Sequence, residues 1–410
     1  MTEGLRGMRA WSMRWLSFAM LMVMAAVVGL DCVAPPHADA DTPVAAGEYI
    51  PVTSTRLMDT RSSGGALAAG ETRNVTVSGI AGVPTSGVSA VSLTIGGTGA
   101  TADTWFTAWA AGATKPAVSQ LDVPAGVSVS NAVIVPVGAN GQVSIFNNTG
   151  SAHLIVDING YYDNNQATSA GGTFVPLTPT RIVDSRYGTG TSAAKWAAGE
   201  TRAVQVTGQG GIPTAGVSAV VVNITGAQAS ATSFLRAWGA GSAPSTSVVN
   251  IASGQDAGAM VQTGLTSDGK LNIYNNAGTT HVIVDVEGYY LTPDNDAQDY
   301  FVPVTPTRIL ATSTGLNAKQ AKMTPGSTIS VPGRGATVNS TIVVPNSKNV
   351  VAVVVSLTEA HNNAGGFMTA YPSDQARPTA SVLNYTSGNN LTGTAVAKRV
   401  CPELCVSGVA

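Results

Sequence analysis

The sequence has 410 residues, a formal net charge of −2 and a pI of about 6.1. Charged residues make up 11% of the chain, against about 25% in a typical globular protein. No basic excess is present to pair with phosphates, which excludes nucleic acid as an expected partner. Glycine is abundant, at 46 residues, and Val, Ala, Thr and Ser dominate the rest. This composition favours short β-strands joined by Gly-rich turns.

The first forty residues have the pattern of a secretory signal. Three arginines precede an apolar run over residues 15–30, and small residues at alternate positions end the segment at Ala40. The run is shorter than the ~20 residues that cross a bilayer, which favours a signal over the alternative of an uncleaved anchor. We predict a signal peptide over 1–40 and a secreted, extracellular protein without a membrane span after cleavage. Association with the cell wall stays open.

The rest of the chain contains long internal repeats. The segment "AAGETRNVTVSG" (68–79) returns as "AAGETRAVQVTG" (197–208), and a looser third copy begins with "YFVPVTPTRIL" (300–310). Solenoid repeats are only about 20–50 residues long, so a unit of this length is a whole domain. We predict three domains joined by polar linkers over 163–172 and 291–299. They are repeat 1 (41–162), repeat 2 (173–290) and repeat 3 (300–410).

Within each repeat the apolar residues recur at every second position. Segments such as "TRAVQVTG" and "HVIVDVEGYY" alternate in this way and are separated by Gly, Pro and Asn turns. About seven or eight such strands predict a β-sandwich. The expected fold is therefore all-β, with three tandem sandwiches of either jelly-roll or immunoglobulin-like strand order.

Repeats 1 and 2 each begin with a stretch that carries two arginines and an aspartate, although the chain as a whole is poor in charge. In a strand, the aspartate (Asp59 or Asp184) and the second arginine (Arg61 or Arg186) point to one face. The first arginine (Arg56 or Arg181) points to the other. Repeat 3 keeps Arg308 but has Ala311 and Ser313 in place of the other two, and paired charges disappear together in this way. We predict structural ion pairs that tie the first strand to the next, with a polar binding site as the alternative. The residues are Arg56, Asp59 and Arg61 in "TSTRLMDTR", and Arg181, Asp184 and Arg186 in "TPTRIVDSR".

An aromatic stretch recurs as "WFTAWAAG" (105–112), "FLRAWGAG" (234–241) and "FMTAYPSD" (367–374). In each, two rings flank a polar side chain on one face of the strand. Such a face is typical of a sugar-stacking platform, while the alternative is that the rings belong to the core. The predicted glycan-binding residues are Trp105, Trp109, Phe234, Arg236, Trp238 and Tyr371.

Repeat 3 lacks the strand that corresponds to "HVIVDVEGYY". A sandwich without one strand has an unpaired edge. Three explanations stay open: a partner supplies the strand, the "CPELC" segment stabilises a rearranged end, or the sequence departs from its natural terminus. Cys401 and Cys405 predict a disulfide in that segment, because an exported cysteine pair favours a disulfide over a redox motif.

Motifs for catalysis are absent from the sequence. It contains no His-Glu-x-x-His, no Gly-x-Ser-x-Gly and no phosphate loop. His153 and His281 occupy the same place beside the last strand, and each repeat has at most one histidine. The linkers lack the spaced acidic ligands of a calcium loop. We predict a non-enzymatic protein without cofactor or metal.

The segments "FVPLTPTRIVDSR", "AGETRAVQVTG", "GIPTAGVSAVVVNIT" and "THVIVDVEGYY" resemble a tandem repeat of secreted actinobacterial cell-surface proteins. That repeat also occurs appended to exported hydrolases. The resemblance covers nearly all of the chain after the signal and implies an exported, non-catalytic surface module. We predict a cell-surface or cell-wall binding protein that holds a glycan through exposed aromatics, with cell-wall polysaccharide or another surface protein as partner. The alternative is a structural spacer or adhesin without a small-molecule ligand.

Overall fold

A computed structural model describes residues 47–138, 140–164, 172–292, 300–347, 349–398 and 403–409. Within these ranges every regular element is a β-strand, and the all-β prediction is confirmed. The predicted signal peptide and Cys401 lie outside the described residues, as do most of both linkers.

Repeat 1 forms two four-stranded antiparallel sheets. The first has the order β1-β8-β3-β6 and the second β2-β7-β4-β5. This eight-stranded order is that of a jelly roll, not of an immunoglobulin domain. The strands are β1 (Glu48–Asp59), β2 (Thr72–Thr76), β3 (Val88–Thr98), β4 (Thr104–Ala110), β5 (Leu121–Val123), β6 (Val129–Pro136), β7 (Gln142–Asn147) and β8 (His153–Asp163).

Repeat 2 repeats this topology strand for strand. Its sheets have the orders β9-β16-β11-β14 and β10-β15-β12-β13. The duplicated sequence therefore encodes a duplicated strand order. The strands are β9 (Phe174–Asp184), β10 (Thr201–Gln205), β11 (Val217–Ala227), β12 (Ser233–Trp238), β13 (Val249–Ile251), β14 (Ala257–Gly264), β15 (Lys270–Asn275) and β16 (His281–Leu291).

Each of these repeats has a core between its two sheets. In repeat 1, Leu93 and Val156 from one sheet and Phe106 and Ile145 from the other belong to one cluster of fully buried side chains. A second cluster of the same kind fills repeat 2. Because the strand period is two, only every second residue of a strand reaches this core.

Repeat 3 has a full second sheet but only part of the first. The order β17-β24-β21-β22 matches that of β10-β15-β12-β13, whereas β20 pairs with β23 alone among the described residues. A small hairpin, β18-β19, is an addition. The strands are β17 (Thr328–Pro332), β18 (Thr337–Val338), β19 (Thr341–Ile342), β20 (Ala352–Glu359), β21 (Gly366–Pro372), β22 (Leu383–Tyr385), β23 (Leu391–Lys398) and β24 (Glu403–Val409).

The three repeats pack against one another. A shared apolar cluster contains Tyr49 and Tyr162 from repeat 1, Val221 and Tyr290 from repeat 2, and Val396 from repeat 3. The outward faces of the first sheets therefore meet, which explains why β3, β8, β11 and β16 are buried along almost their whole length.

Polar contacts connect the repeats in a cycle. Ser54 of repeat 1 bonds Thr246 of repeat 2 through their hydroxyls at 2.6 Å. Arg181 of repeat 2 donates to the Thr379 carbonyl of repeat 3 at 3.1 Å. The Thr392 hydroxyl of repeat 3 donates to Asp122 of repeat 1. Each repeat thus contacts both of the others.

Candidate functional site

The retained charges of repeat 2 form one ion-pair group. The Arg181 guanidinium donates to both carboxylate oxygens of Asp285, at 2.8 and 3.0 Å. It also lies 3.3 Å from Asp184, which Arg186 contacts at 2.7 Å. The Asp285 side chain is only 1% exposed, and the bidentate pair with Arg181 gives this buried carboxylate its charged partner.

Repeat 1 contains the same group. Arg56 pairs with Asp157 at 2.8 Å and with Asp59 at 3.0 Å, and Arg61 contacts Asp59 at 2.6 Å. Hydrogen bonds from Arg61 lower the pKa of Asp59 to about 2. Burial raises the pKa of Asp157 although Arg56 opposes it. The carboxylates are fixed by neighbouring guanidinium groups in both repeats.

Two details differ from the sequence-based expectation. The first strand is tied by Arg181 to the last strand, β16, and not to the next one along the chain. Arg181 also reaches Asp184, although simple alternation places them on opposite faces. The reason is a bulge: Arg181 pairs with Asp285 and Val183 with Val284, which leaves Ile182 as an extra residue.

A hydroxyl–imidazole pair accompanies each ion-pair group. Ser185 Oγ lies 3.0 Å from His281 Nδ1, and Thr60 Oγ1 lies 3.1 Å from His153 Nδ1. Ser185 is fully buried, and its hydroxyl accepts the Val282 N–H at 2.9 Å. Sequence reasoning missed these partners because they come from the other end of the repeat. The geometry fixes the end of the first strand.

The strand faces on which two rings flank a polar side chain lie on the outside of the second sheets. Phe106 and Leu235, on the opposite faces of β4 and β12, are fully buried in the repeat cores. Since side chains alternate along a strand, the predicted site residues of repeats 1 and 2 point away from these cores. Their exposure then depends on what covers the outer face.

In repeat 1 the loop after β4 covers part of this face. Trp105 is 37% exposed, whereas Trp109 is 7% exposed and donates its Nε1–H to the Ala113 carbonyl at 3.0 Å. Lys115 from the same loop places its Nζ 4.2 Å from the ring centre of Phe146. Trp105 is therefore the accessible ring of the predicted pair, and Trp109 is a covered one.

In repeat 2 the central position is an arginine held by two rings. The Arg236 guanidinium carbon lies 5.1 Å from the ring centres of both Phe234 and Tyr274. Its Nε is buried and makes no hydrogen bond within the described residues. Trp238, at the far end of this face, is half-buried. A guanidinium fixed between rings retains donors for a polar ligand.

Repeat 3 has a covered outer face. Tyr371 is 7% exposed, and its hydroxyl lies 3.4 Å from Thr328 Oγ1. Thr369 donates to the Ala380 carbonyl at 2.7 Å. Of the six predicted glycan-binding residues, Trp109 and Tyr371 are thus buried, and the other four reach the surface.

The structure adds three residues to the candidate site: Lys115, Phe146 and Tyr274. Phe146 pairs with Thr107 across β4 and β7, and Tyr274 pairs with Arg236 across β12 and β15. The only sequence signal for the two rings was an aromatic residue at the same place in "SIFNN" and "NIYNN". Strand register, which the sequence did not determine, brings these rings to the site.

The predicted disulfide lies partly outside the described residues. Cys405 is buried within β24, which pairs with β17 and β21, and it has no disulfide partner among the described residues. Cys401 is not described, and the pair stays a prediction. Within the described part of the chain, no group of three or more His, Cys, Asp or Glu side chains could hold a metal ion. No helix in that part has the length and apolar character of a membrane span.

No protein-family model and no curated protein matches the sequence. Among solved structures, the tandem CBM22 domains of Paenibacillus barcinonensis Xyn10C match at 12% identity, covering 61% of this chain and all of that one, with a TM-score of 0.18. The STIV MCP matches at 13% identity, covering 60% of this chain and 97% of that one, with a TM-score of 0.17. A triple jelly-roll protein of an archaeal virus matches at 9% identity, covering 89% and 86%, with a TM-score of 0.18. At such TM-scores these likenesses carry no argument about fold or function.

Proposed function

We propose that the chain is a secreted, non-catalytic binding protein of the cell surface, built from three jelly-roll-type sandwiches. Its ligand is a glycan, such as a cell-wall polysaccharide. It binds on the outer faces of the second sheets of repeats 1 and 2.

The observation that carries the proposal is the pairing of rings and cations on these two faces. Repeat 1 presents Trp105 on the same outer face as the Lys115–Phe146 pair. Repeat 2 presents Arg236 between Phe234 and Tyr274. Rings contact the C–H faces of sugars, and the fixed cations donate hydrogen bonds to hydroxyl or carboxylate oxygens. Two sites in one chain strengthen binding to a polymer through multivalency.

The test measures binding of the full chain to insoluble cell-wall polysaccharide and to soluble neutral and acidic glycans. We expect the double variant Trp105→Ala, Phe234→Ala to lose affinity about tenfold or more, because a tenfold change corresponds to only about 1.4 kcal/mol. Arg236→Leu is expected to weaken the binding of acidic glycans more than the binding of neutral ones.

The matched control is Tyr187→Ala, since Tyr187 is an exposed ring (77%) away from both faces. Trp109→Ala is unsuitable as a binding test, because Trp109 is covered and its loss removes packing. Unchanged binding by the double variant, or equal loss in the Tyr187 variant, contradicts the proposed sites.

A structural role as spacer or adhesin is the second candidate. The observation that favours it is the extensive contact among the repeats, through the shared apolar cluster and the cycle of polar contacts. Absence of glycan binding by the intact chain would leave this role as the better account.

A further inference from the structure

One arginine of repeats 1 and 2 has no charged partner. Arg236, in the middle of β12, contacts no carboxylate within 4 Å in the described part of the chain. A charge that the fold does not pair is available for a ligand of opposite charge. The other six arginines of these two repeats each contact an aspartate or glutamate, and they are Arg56, Arg61, Arg73, Arg181, Arg186 and Arg202.

The other two repeats have a threonine at this position, and there it has a structural role. Thr107 donates to the Val118 carbonyl at 2.5 Å, and Thr369 donates to the Ala380 carbonyl at 2.7 Å. Each bond ties the middle of the strand to the loop that follows it. Arg236 makes no such bond within the described residues. Its side chain is therefore not needed for the contact that this position provides elsewhere in the chain.

Two rings fix the arginine in place without using its hydrogen-bond donors. The guanidinium carbon of Arg236 lies 5.1 Å from the ring centres of Phe234 and of Tyr274. The Nε is buried without a hydrogen-bond partner, and the terminal nitrogens also lack one in the described part of the chain. Because the rings restrict the side chain before a ligand arrives, less conformational entropy is lost on binding.

The nearby acidic side chains are already neutralised. Glu200 contacts Arg202 at 2.6 Å, and Asp268 contacts Lys270 at 2.7 Å. The strands of this face, β10, β12 and β15, contain no aspartate or glutamate of their own. The charge of Arg236 is thus the uncompensated one on the outer face of repeat 2, and this face attracts an anion.

We propose that the outer face of repeat 2 is specific for a carboxylate-bearing glycan, a polymer that contains uronic acid. This inference rests on the proposed glycan-binding function and names the class of glycan. Arg236 donates two parallel hydrogen bonds to the carboxylate, because its planar fork matches the two oxygens of that group. Arg236 is therefore the residue that determines specificity.

The arrangement of rings around Arg236 favours a carboxylate on a sugar over a phosphate between sugars. In a uronic acid the carboxylate is bonded directly to a ring carbon. One sugar can therefore place its C–H face on Phe234 and its carboxylate on Arg236. Phe234 and Trp238 are four residues apart on one face of β12, which corresponds to about 13 Å of strand. This length accommodates a short stretch of polymer.

Repeat 1 has a different kind of cation at the corresponding place. Lys115 reaches the Phe146 ring from the loop after β4, with its Nζ 4.2 Å from the ring centre. An ammonium group is a point charge and lacks the planar fork of arginine. We therefore expect repeat 2, and not repeat 1, to distinguish a carboxylate from its neutral ester.

The test compares a galacturonic acid hexamer with the same hexamer after methyl esterification of its carboxyl groups. Calorimetry is done with the full chain carrying Trp105→Ala, so that repeat 2 dominates the binding. Adding Arg236→Thr is expected to lower the affinity for the acid about tenfold or more and to change that for the ester less than about twofold. Arg236→Lys keeps the charge without the fork and should give an intermediate loss.

Threonine is the residue of the other two repeats, so Arg236→Thr is compatible with the fold, which thermal unfolding checks. Lys319→Thr is the matched control, because it removes the same charge from an exposed side chain of repeat 3. It should leave both affinities unchanged. A second readout is the Nε–H resonance of Arg236 by nuclear magnetic resonance, which should move on addition of the acid and not of the ester.

The outcomes separate this inference from the function on which it rests. If the unmodified chain binds neither hexamer nor any other glycan, the proposed function is wrong and the inference is wrong with it. If Arg236→Thr weakens the acid and the ester equally, or neither, glycan binding stands but the specificity for carboxylates is refuted. Tighter, Arg236-dependent binding of a glycerol phosphate polymer would also overturn the inference and assign the site to phosphate.

Discussion

Repeats 2 and 3 contain nearly the same ten residues in different conformations. "FVPLTPTRIV" (174–183) belongs to strand β9, whereas "FVPVTPTRIL" (301–310) forms no regular strand. The difference lies in the neighbour: β9 pairs with β16, and repeat 3 has no corresponding strand among the described residues. A strand is stable only when its backbone groups and side chains meet a partner, so propensity alone does not decide it.

The charges of the two repeats follow the same rule. Arg181 is fixed by a buried carboxylate of the last strand. Arg308 is exposed and takes part in no ion pair within 4 Å in the described part of the chain. The arginine was retained in repeat 3, while its local partner Asp184 became Ala311. The following substitutions are designed to test how far this contrast extends.

The largest expected effect concerns Glu287, which joins repeat 2 to repeat 3. Its carboxylate accepts the Val396 N–H at 2.9 Å, and burial raises its pKa from 4.5 to about 8. Between pH 4.5 and pH 8 the folded state holds a proton on Glu287 that the unfolded state releases. The contribution of this proton to stability is therefore full below pH 4.5 and is lost as pH rises towards 8. The free energy involved is on the order of 5 kcal/mol, at about 1.4 kcal/mol per pKa unit.

Glu287→Gln should remove this pH dependence. Denaturant unfolding at several values between pH 5 and pH 8 measures it. Asn159 holds the corresponding position in repeat 1 and shows that an amide fits there. The same loss of stability in the Gln variant would contradict the assignment.

The second effect compares Arg181→Ala with Arg308→Ala. The first leaves Asp285 buried without its bidentate partner, and we expect a loss of about 3–5 kcal/mol. The second changes an exposed side chain and should stay within about 0.5 kcal/mol. Urea unfolding of both variants measures the contrast, and equal losses would refute it.

The third effect compares core positions of the two repeats. Leu235 is fully buried between complete sheets, so Leu235→Ala should cost about 2–5 kcal/mol. Met368, at the same place in repeat 3, is half-buried and lines a cavity of about 1780 Å³, so Met368→Ala should cost less than half as much. Thermal unfolding of both variants gives the comparison, and a similar loss would show that the core of repeat 3 is as well packed as that of repeat 2.

The smallest effect concerns the centre of the molecule. Tyr290→Phe removes a hydroxyl that bonds Tyr162 at 3.1 Å and Gln262 at 2.7 Å, and should cost about 1 kcal/mol. Tyr187→Phe, at an exposed ring, is the control and should change nothing measurable. If the Tyr290→Phe variant is as stable as the original protein in denaturant unfolding, the hydrogen bonds of this hydroxyl add no net stability.

The candidate site shows where sequence reasoning was limited. The face that Trp105, Phe234 and Arg236 share followed from the strand period alone. The burial of Trp109 did not, because it depends on the loop after β4, in which the Ala113 carbonyl accepts the indole N–H of Trp109. The rings of Phe146 and Tyr274 also required the register of β7 and β15, which only the paired strands define.

The ion-pair groups show the same division. The sequence indicated that Asp184 and Arg186 belong together, since both are absent from repeat 3. It gave no means of assigning Asp285, about a hundred residues further on, as the partner of Arg181. It also gave no sign of the bulge at Ile182 that brings Arg181 back to Asp184.

The sequence by itself determined the all-β class and the repeat pattern, because these depend on the period of apolar residues and on comparison between copies. The tertiary structure decided the jelly-roll strand order, the buried partners of the arginines and the contact between repeats. These depend on which strands lie side by side across long stretches of chain, and alternation along a single strand does not encode that choice.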